Sequence, residues 1–331
     1  MPDYFVDRLI RFESLDTLIT EMRKKSYESG GGSVRGIKQT EVKGGNAVNL
    51  AYALGIFGGN VHLTAIADSL PAETLKITFS KFQNVTLEIS PGAAGYTTAF
   101  EFRERDRHVN VMVSDVGDLS SFDGSNLSKL SLDSVARSKI VAIVNWSANR
   151  KGNELCERVF SLAKENRRKT FFDPADISGQ RDLLPDLKKR VFEKGLIDYV
   201  SLNENEARIM SKELFNHELP RDYSESDLIK TAKILSDGNS AMGDLHTRTV
   251  TISAFDSIAI PCQCHKVEQR TVTGAGDVWS AANIASYLAG LDVEDRLYFS
   301  NSAAGLYVSR ESAATPSLQE VLDFMKDRPI H

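Results

Sequence analysis

Cysteine is scarce, at three in 331 residues, too few for a disulfide framework. No stretch approaches the roughly 20 apolar residues of a membrane span. The opening Met1-Pro2-Asp3-Tyr4-Phe5-Val6-Asp7-Arg8 lacks the apolar core of a secretory leader. These absences set the expectation of a reducing cytoplasm and of no membrane partner. Neither sign of charge dominates: 40 Lys and Arg against 45 Asp and Glu leave −5. That balance argues against nucleic acid or an anionic membrane held through bulk charge.

Two phosphate motifs are also missing. No Gly-Lys dipeptide occurs, so there is no Walker A loop. No Gly-x-Gly-x-x-Gly occurs either, because Gly274-Ala275-Gly276 is followed at the third position by Trp279. That weakens a dinucleotide-binding reading. Cys262-Gln263-Cys264-His265 resembles half a metal site, but the other cysteine is Cys156 and the other histidines are scattered. A structural zinc is therefore not expected.

What is present is an ordinary globular composition, 41% apolar, in a chain long enough to bury a full core. Strand-like and helix-like segments alternate, which predicts an α/β layered fold with a mainly parallel sheet. Strands are expected at 61–67, 139–144, 170–173 and 197–202, a β-rich stretch at 249–261, and helices at 46–57, 154–166 and 227–236. Two more helices start near 277 and 294. Two stretches break the alternation. Residues 96–113 read as a hairpin around a charged turn at Arg103 to Arg107. Residues 33–42 form a second polar, strand-capable piece. Together they predict a small β lid, in pieces at about 33–43 and 95–114, on one domain spanning 1–331. Lids that exclude water suit phosphoryl transfer. Gly30-Gly31-Gly32-Ser33 has no strand before it and no good helix after it, and reads as a flexible turn.

The most informative run is Arg270-Thr271-Val272-Thr273-Gly274-Ala275-Gly276-Asp277. It ends the β-rich stretch and opens a helix marked by Val278, Ala281, Ile284, Ala285 and Leu288, closed by Gly290. A helix start with bare amides is an anion site. Asp277 stands beside that anion, where a carboxylate would repel it. Either it is a general base taking a proton from a hydroxyl, or it caps the helix. Upstream, Gly44-Gly45 permits close backbone approach before a helix, and Asn49 is a two-way hydrogen bonder suited to a hydroxyl. Asn203 and Glu206 follow a strand at the carboxyl edge where ligands bind in open α/β sheets. They also match a helix capping box. Asp173 ends another strand at that edge, as a phosphate, metal or water contact or as part of an Asp-Pro turn.

These motifs, in this order, resemble those of the ribokinase-like, or pfkB, family of carbohydrate kinases. Thr273-Gly274-Ala275-Gly276-Asp277 looks like its C-terminal signature. Gly44-Gly45-Asn46-Ala47-Val48-Asn49-Leu50-Ala51 with Leu54-Gly55 looks like its N-terminal one. Asn203-Glu204-Asn205-Glu206 matches its Asn-x-x-Glu, and Asn301-Ser302-Ala303-Ala304 through Val308-Ser309-Arg310 resembles the late helix against the nucleotide base. The resemblance implies a three-layer α/β/α fold with a β lid, and phosphorylation of a sugar or sugar-like hydroxyl by ATP with Mg²⁺. Asp277 is then the base, and Gly274, Ala275 and Gly276 form the anion hole. Asp7, with Asp3 as rival, and Gly44, Gly45 and Asn49 hold the acceptor. Thr273, Asn301 and Arg248 face the nucleotide, and Asn203, Glu206 and Asp173 lie near metal and phosphate. A nucleoside kinase or a non-catalytic sensor on the same scaffold is the alternative. A homodimer through the lid is a further implication.

Departures accompany the match. The family signature commonly begins Asp-Thr-Thr, whereas this chain has Thr271-Val272-Thr273, which bears on how the loop holds a monovalent cation or the nucleotide. Ala282 stands where a glycine is common, and Leu245-His246-Thr247-Arg248 replaces a Gly-x-x-Gly turn. The acceptor stays open. An acidic sugar calls for a cation near the lid, and Lys43, Arg35 and Arg103 are available.

Overall fold

The computed structural model describes residues 1–104, 107–239, 241–312 and 314–328. In chain order the amino-terminal half forms β1 (Phe5–Arg11), α1 (Leu15–Ser29), β2 (Gln39–Gly44), α2 (Asn46–Ile56), β3 (Val61–Ile66) and α3 (Ser69–Phe79). It continues with β4 (Val85–Ser90), β5 (Gly95–Glu104), β6 (Arg107–Asp115), α4 (Lys129–Arg137) and β7 (Ile140–Val144). Then come α5 (Gly152–Glu165), β8 (Lys169–Asp173), α6 (Leu184–Leu187), β9 (Tyr199–Asn203), α7 (Glu204–Phe215) and α8 (Glu225–Asn239). The chain finishes with β10 (Met242–His246), β11 (Val250–Phe255), β12 (Ile258–Gln263), α9 (Ala275–Leu288), α10 (Val293–Val308) and α11 (Leu318–Asp327).

The central sheet runs β12-β11-β10-β9-β8-β7. Strands β7 to β10 are parallel, and β11 and β12 add antiparallel edges. Strand residues alternate between two layers. Ile143, Phe172 and Val200 enter the core beneath α5 to α8, while Val144, Phe171 and Tyr199 enter the core beneath α2, α9, α10 and α11. That is the α/β layered fold expected from the alternation of elements, in the three-layer α/β/α form that the resemblance implied.

Strands β3 and β4 pair separately, in parallel. Residues 1 and 2 bridge them to the central sheet: the Met1 amine donates to the Val144 carbonyl at 3.0 Å, and the Ile66 amide donates to the Pro2 carbonyl at 2.9 Å. An apolar cavity of about 510 Å³ lies between β3 and β7.

The lid is a four-stranded sheet, β2-β1-β5-β6. The hairpin β5–β6 matches the expected one, with Thr97 opposite Ser114 and Phe102 opposite Val109. Residues 105 and 106 of its charged turn lie outside the described residues. Two corrections concern the lid's boundaries. Residues 33–38 are not strand, since β2 starts at Gln39, and β1 is itself a lid strand between β2 and β5. The sequence hid β1 because Val6-Asp7-Arg8-Leu9-Ile10 mixes apolar and charged residues without clean alternation. Gly30, read within a flexible turn, is the left-handed cap of α1, with φ 61° and its amide on the Lys25 carbonyl.

Candidate active site

Helix α2 packs along α9, and this contact builds the site. Gly274 caps α9 in the left-handed region, φ 84°, where a side chain would be strained. A Cβ there would also meet the Tyr307 hydroxyl at 2.9 Å. That hydroxyl donates to the Thr273 carbonyl at 2.8 Å and so clamps the loop from α10. The Ala275 amide donates to the Val272 carbonyl at 3.2 Å. An anion at this helix start is therefore left to the Gly276 and Asp277 amides, a correction to the expectation that Ala275 donates too. Beneath Gly276 sits His246, its ring 5.0 Å from that of Trp279. Its Nε2 is buried and has no hydrogen-bond partner among the described residues. Burial pushes this imidazole down to about 4, so it is neutral at pH 7.

Asp277 is held from α2. Asn46 Nδ2 donates to Oδ1 at 2.9 Å, and Asn49 Nδ2 donates to Oδ2 at 3.0 Å. Residues three apart share one helix face, so both amides reach one carboxylate. Burial drives the Asp277 carboxyl well above its ordinary value. The Asn49 and Asn46 bonds pull it back, while Asp173 and Asp3 push it further. Asn46 was not singled out from the sequence, although its three-residue spacing from Asn49 was a usable signal.

Next to this pair stands Lys43, whose Nζ donates to Asn49 Oδ1 at 3.0 Å. Burial lowers this ammonium to about 8; Asp277 and Asp7 oppose the shift and Lys81 adds to it. Arg35 and Arg103, the other available cations, are exposed. Asp7 lies over Gly44, where a Cβ would come within 2.2 Å of its Cγ. Burial raises Asp7 to about 6, and its Oδ1 is buried without a hydrogen-bond partner among the described residues. The rival, Asp3, is fully buried. It accepts from the Ala47 amide at 3.1 Å and from Asn145 Nδ2 at 3.0 Å. Asp3 thus anchors the start of α2, while Gly45, at φ 91°, passes so close that a Cβ would lie 2.8 Å from the Asp3 carbonyl oxygen.

On the other side of the Gly276 loop, a cavity of about 410 Å³ is lined by residues including Asn203, Arg248, Val272, Gly276 and Asn301. Arg248 is exposed at its rim. Asn301 braces the wall: its Oδ1 accepts from Trp279 Nε1 at 2.9 Å and its Nδ2 reaches the Gln263 carbonyl at 3.3 Å. Thr273 Oγ1 accepts from Asn110 Nδ2 of the lid at 2.8 Å. Asn203 and Glu206 form the capping box of α7, with Glu206 Oε2 on the Asn203 amide at 2.8 Å and Asn203 Oδ1 on the Glu206 amide at 3.0 Å. Burial, then the charge of Asp173, raises Glu206 well above its usual range. Asp173 accepts from the Ala175 amide at 3.0 Å and is itself raised, chiefly by burial.

Residues 11–320 match the model of the pfkB family carbohydrate kinases, and the chain belongs to that family. Its fold is similar to that of an Arabidopsis thaliana ribokinase solved with ribose and ATP. The TM-score is 0.74 at 15% identity, covering 98% of this chain and 96% of that one. It is equally similar to an adenosine kinase from Sinorhizobium meliloti, at TM-score 0.74 and 17% identity over 97% and 96% of the two chains. The bifunctional protein HldE of Sulfurimonas denitrificans is 27% identical over 198 residues, which are 57% of this chain and 36% of HldE. The chain thus spans about a third of that relative's length. Among the described residues no helix is long and apolar enough to cross a membrane.

Proposed function

We propose that the protein transfers the terminal phosphoryl group of ATP to a hydroxyl of a sugar or sugar-like small molecule, with Asp277 as general base. The observation that carries this reading is the placement of Asp277. Its carboxylate is fixed by Asn46 and Asn49 on α2 and stands in the first turn of α9, beside the Gly276 amide. One group can therefore take the hydroxyl proton while the adjacent amides meet developing phosphoryl charge. The burial that raises the Asp277 carboxyl also makes it a stronger proton acceptor than a solvated aspartate.

In this reading Asp7, Gly44, Gly45 and Asn49 border the acceptor. Thr273, Arg248 and the wall that Asn301 braces border the nucleotide in the cavity of about 410 Å³. Asn110, bonded to Thr273, couples the lid to the anion loop, so lid position and loop position are linked. Asp173, Glu206 and Asn203 supply hard oxygen atoms at the strand ends. Burial and Asp173 hold Glu206 toward its neutral form, and a cation beside it would favour the charged one. This donor set suits Mg²⁺, which keeps several waters and takes one or two carboxylates beside substrate phosphates. When bound there, Mg²⁺ neutralises charge on the donor phosphates.

We also assign the lid a pairing role between two copies of the chain. Tyr96 on β5 and Val111 and Val113 on the edge strand β6 are exposed on one face of the lid, a patch of the kind that marks an interface. Equilibrium sedimentation of the wild type against Val111→Lys/Val113→Lys tests it: a dimer that the variant dissociates supports the pairing, and a wild-type monomer removes it.

The test of the activity is a phosphoryl-transfer screen with ATP and Mg²⁺ against sugars, sugar acids, polyols and nucleosides, with Asp277→Asn alongside. Acceptor-stimulated turnover that the variant loses supports the reading. Acceptor binding without transfer from any donor would favour the sensor alternative.

A further inference from the structure

Lys43 is one of three cations, with Arg35 and Arg103, that the sequence offered but did not place. It lies at the end of β2, half-buried, with its ammonium on the Asn49 side chain that also holds Asp277. Among the described residues Nζ makes one hydrogen bond, to Asn49 Oδ1, and it faces the Tyr52 ring at 4.4 Å. An ammonium has three donors and no acceptor capacity, so two N–H groups remain for a ligand. A second ammonium, Lys81, sits 4.6 Å from the same ring and donates to the Tyr52 hydroxyl at 2.5 Å. The acceptor side of Asp277 is thus flanked by two cations around one tyrosine.

A neutral polyol has no use for this arrangement. Hydroxyl recognition is met by Asn49, by the backbone at Gly44 and Gly45, and by Asp7, whose buried Oδ1 has no hydrogen-bond partner among the described residues. A half-buried ammonium with spare donors favours an anionic partner over a neutral one. The anions near Lys43 are Asp277 and Asp7. Asp277 becomes neutral once it has accepted the hydroxyl proton, which withdraws one of those charges during the reaction.

Resting on the kinase reading above, we propose that the acceptor is an anionic sugar derivative, a hydroxylated chain or ring bearing a carboxylate or phosphate, and that Lys43 binds that anionic group. Lys81, behind Tyr52, extends the positive field that draws the anion to this wall. The chemistry at the acceptor hydroxyl is unchanged: its proton goes to Asp277 and its oxygen takes the phosphoryl group.

The experiment measures ATP-dependent transfer by wild type, Lys43→Met, Lys43→Arg and Asp277→Asn. Three matched sets of acceptors are used: neutral sugars and polyols, the corresponding aldonic and uronic acids, and sugar monophosphates. The wild type should prefer an acid or a monophosphate over its neutral counterpart by at least tenfold in kcat/KM. Lys43→Met should raise KM for that anion by about 10- to 100-fold, the value of a charge-assisted hydrogen bond. It should leave kcat within a few-fold, and Lys43→Arg should restore much of the preference. Which set wins decides between carboxylate and phosphate. Preference for a neutral acceptor, with transfer still abolished in Asp277→Asn, overturns the proposal and keeps the kinase. A fall in kcat by the same factor on neutral and anionic acceptors also overturns it, because Lys43 would then act on the transferring group. If nothing is phosphorylated, calorimetry with the same compounds decides. Anions bound more tightly than their neutral counterparts, and lost in Lys43→Met, uphold the anion site while the kinase reading fails; equal or absent binding overturns the anion site.

Discussion

Asn46 Nδ2 and Asp277 Oδ1 lie 2.9 Å apart across 231 residues of chain. This bond, with its partner from Asn49, makes one α2 face the seat of the carboxylate that opens α9. A hydrogen bond to the charged form of a carboxyl lowers its pKa, against burial that raises it. Asn46 therefore tunes the carboxyl proposed as the base without being a proton carrier. Asn46→Leu should move the acid limb of the pH–rate profile to higher pH, because Asp277 then holds its proton longer. kcat should fall about tenfold, the cost of roughly one such bond. A pH profile of kcat measures both effects, and an unmoved acid limb would show that Asn46 does not tune Asp277.

Asp277→Asn removes the proton acceptor but keeps the shape and the neighbours. kcat should drop by on the order of 10²–10⁴, the usual contribution of a general base. The melting temperature should hold or rise, since a buried carboxylate is replaced by a neutral amide. Rate retained in this variant would refute the base assignment.

Asp7 carries a pH signal in stability. Its folded-state carboxyl lies at about 6 against an ordinary 3.8, mainly through burial. The folded protein therefore binds the proton more tightly than the unfolded chain, and stability falls as pH rises from about 4 to 6. The change is on the order of 2 kcal/mol, from the energy of a shifted pKa. Asp7→Asn should flatten this part of the curve and weaken acceptor binding. Denaturant melts of both proteins between pH 4 and 7 check it, and parallel curves would count against the assignment.

Gly44→Ala places a methyl group where the Asp7 carboxyl now lies, at 2.2 Å from its Cγ. The short side chain has little room to retreat, since it lies between β2 and β5. KM for the acceptor should rise tenfold or more, with kcat less affected. Steady-state kinetics reads the split, and an unchanged KM would place Asp7 away from the acceptor.

The buried ion pair Arg296–Asp244, at 2.8 Å, holds α10 on β10 away from the chemistry. Ser253 Oγ donates to Asp244 at 2.6 Å, and Asn283 Nδ2 donates to it at 2.7 Å. Arg296→Met leaves that carboxylate buried without its cation. The loss should be about 3–5 kcal/mol, as for other broken buried pairs, seen as a lowered urea midpoint. A midpoint within experimental error of wild type would show the pair to be dispensable.

Much of this architecture was legible without coordinates. Helices α2 and α9 and strands β7, β8 and β9 fall close to where periodicity and apolar runs placed them. The family motifs also carried the glycine loop and its aspartate. Strand β10 was hidden because Met242-Gly243-Asp244-Leu245-His246 carries a glycine and an acid. Its Asp244 is buried on the strength of Arg296, 52 residues on. Strand β1 was hidden for a related reason: it belongs to the lid rather than the core, so its charged residues stay in the strand. The capping box at Asn203 and Glu206 was visible as a local pattern and is present.

By itself the sequence determined what depends on neighbouring residues: the glycine-led start of α9, the helix after Gly44-Gly45, and an aspartate in the first turn. Backbone conformation and periodicity act over a few residues, and so they are written locally. Only the tertiary structure decided what surrounds those residues. Packing α2 against α9 turned two asparagines toward Asp277, removed water from it, and set Lys43 beside Asn49. The proton affinity of Asp277 and the placement of the Lys43 charge beside it follow from solvent exclusion and long-range contact, which no local pattern specifies.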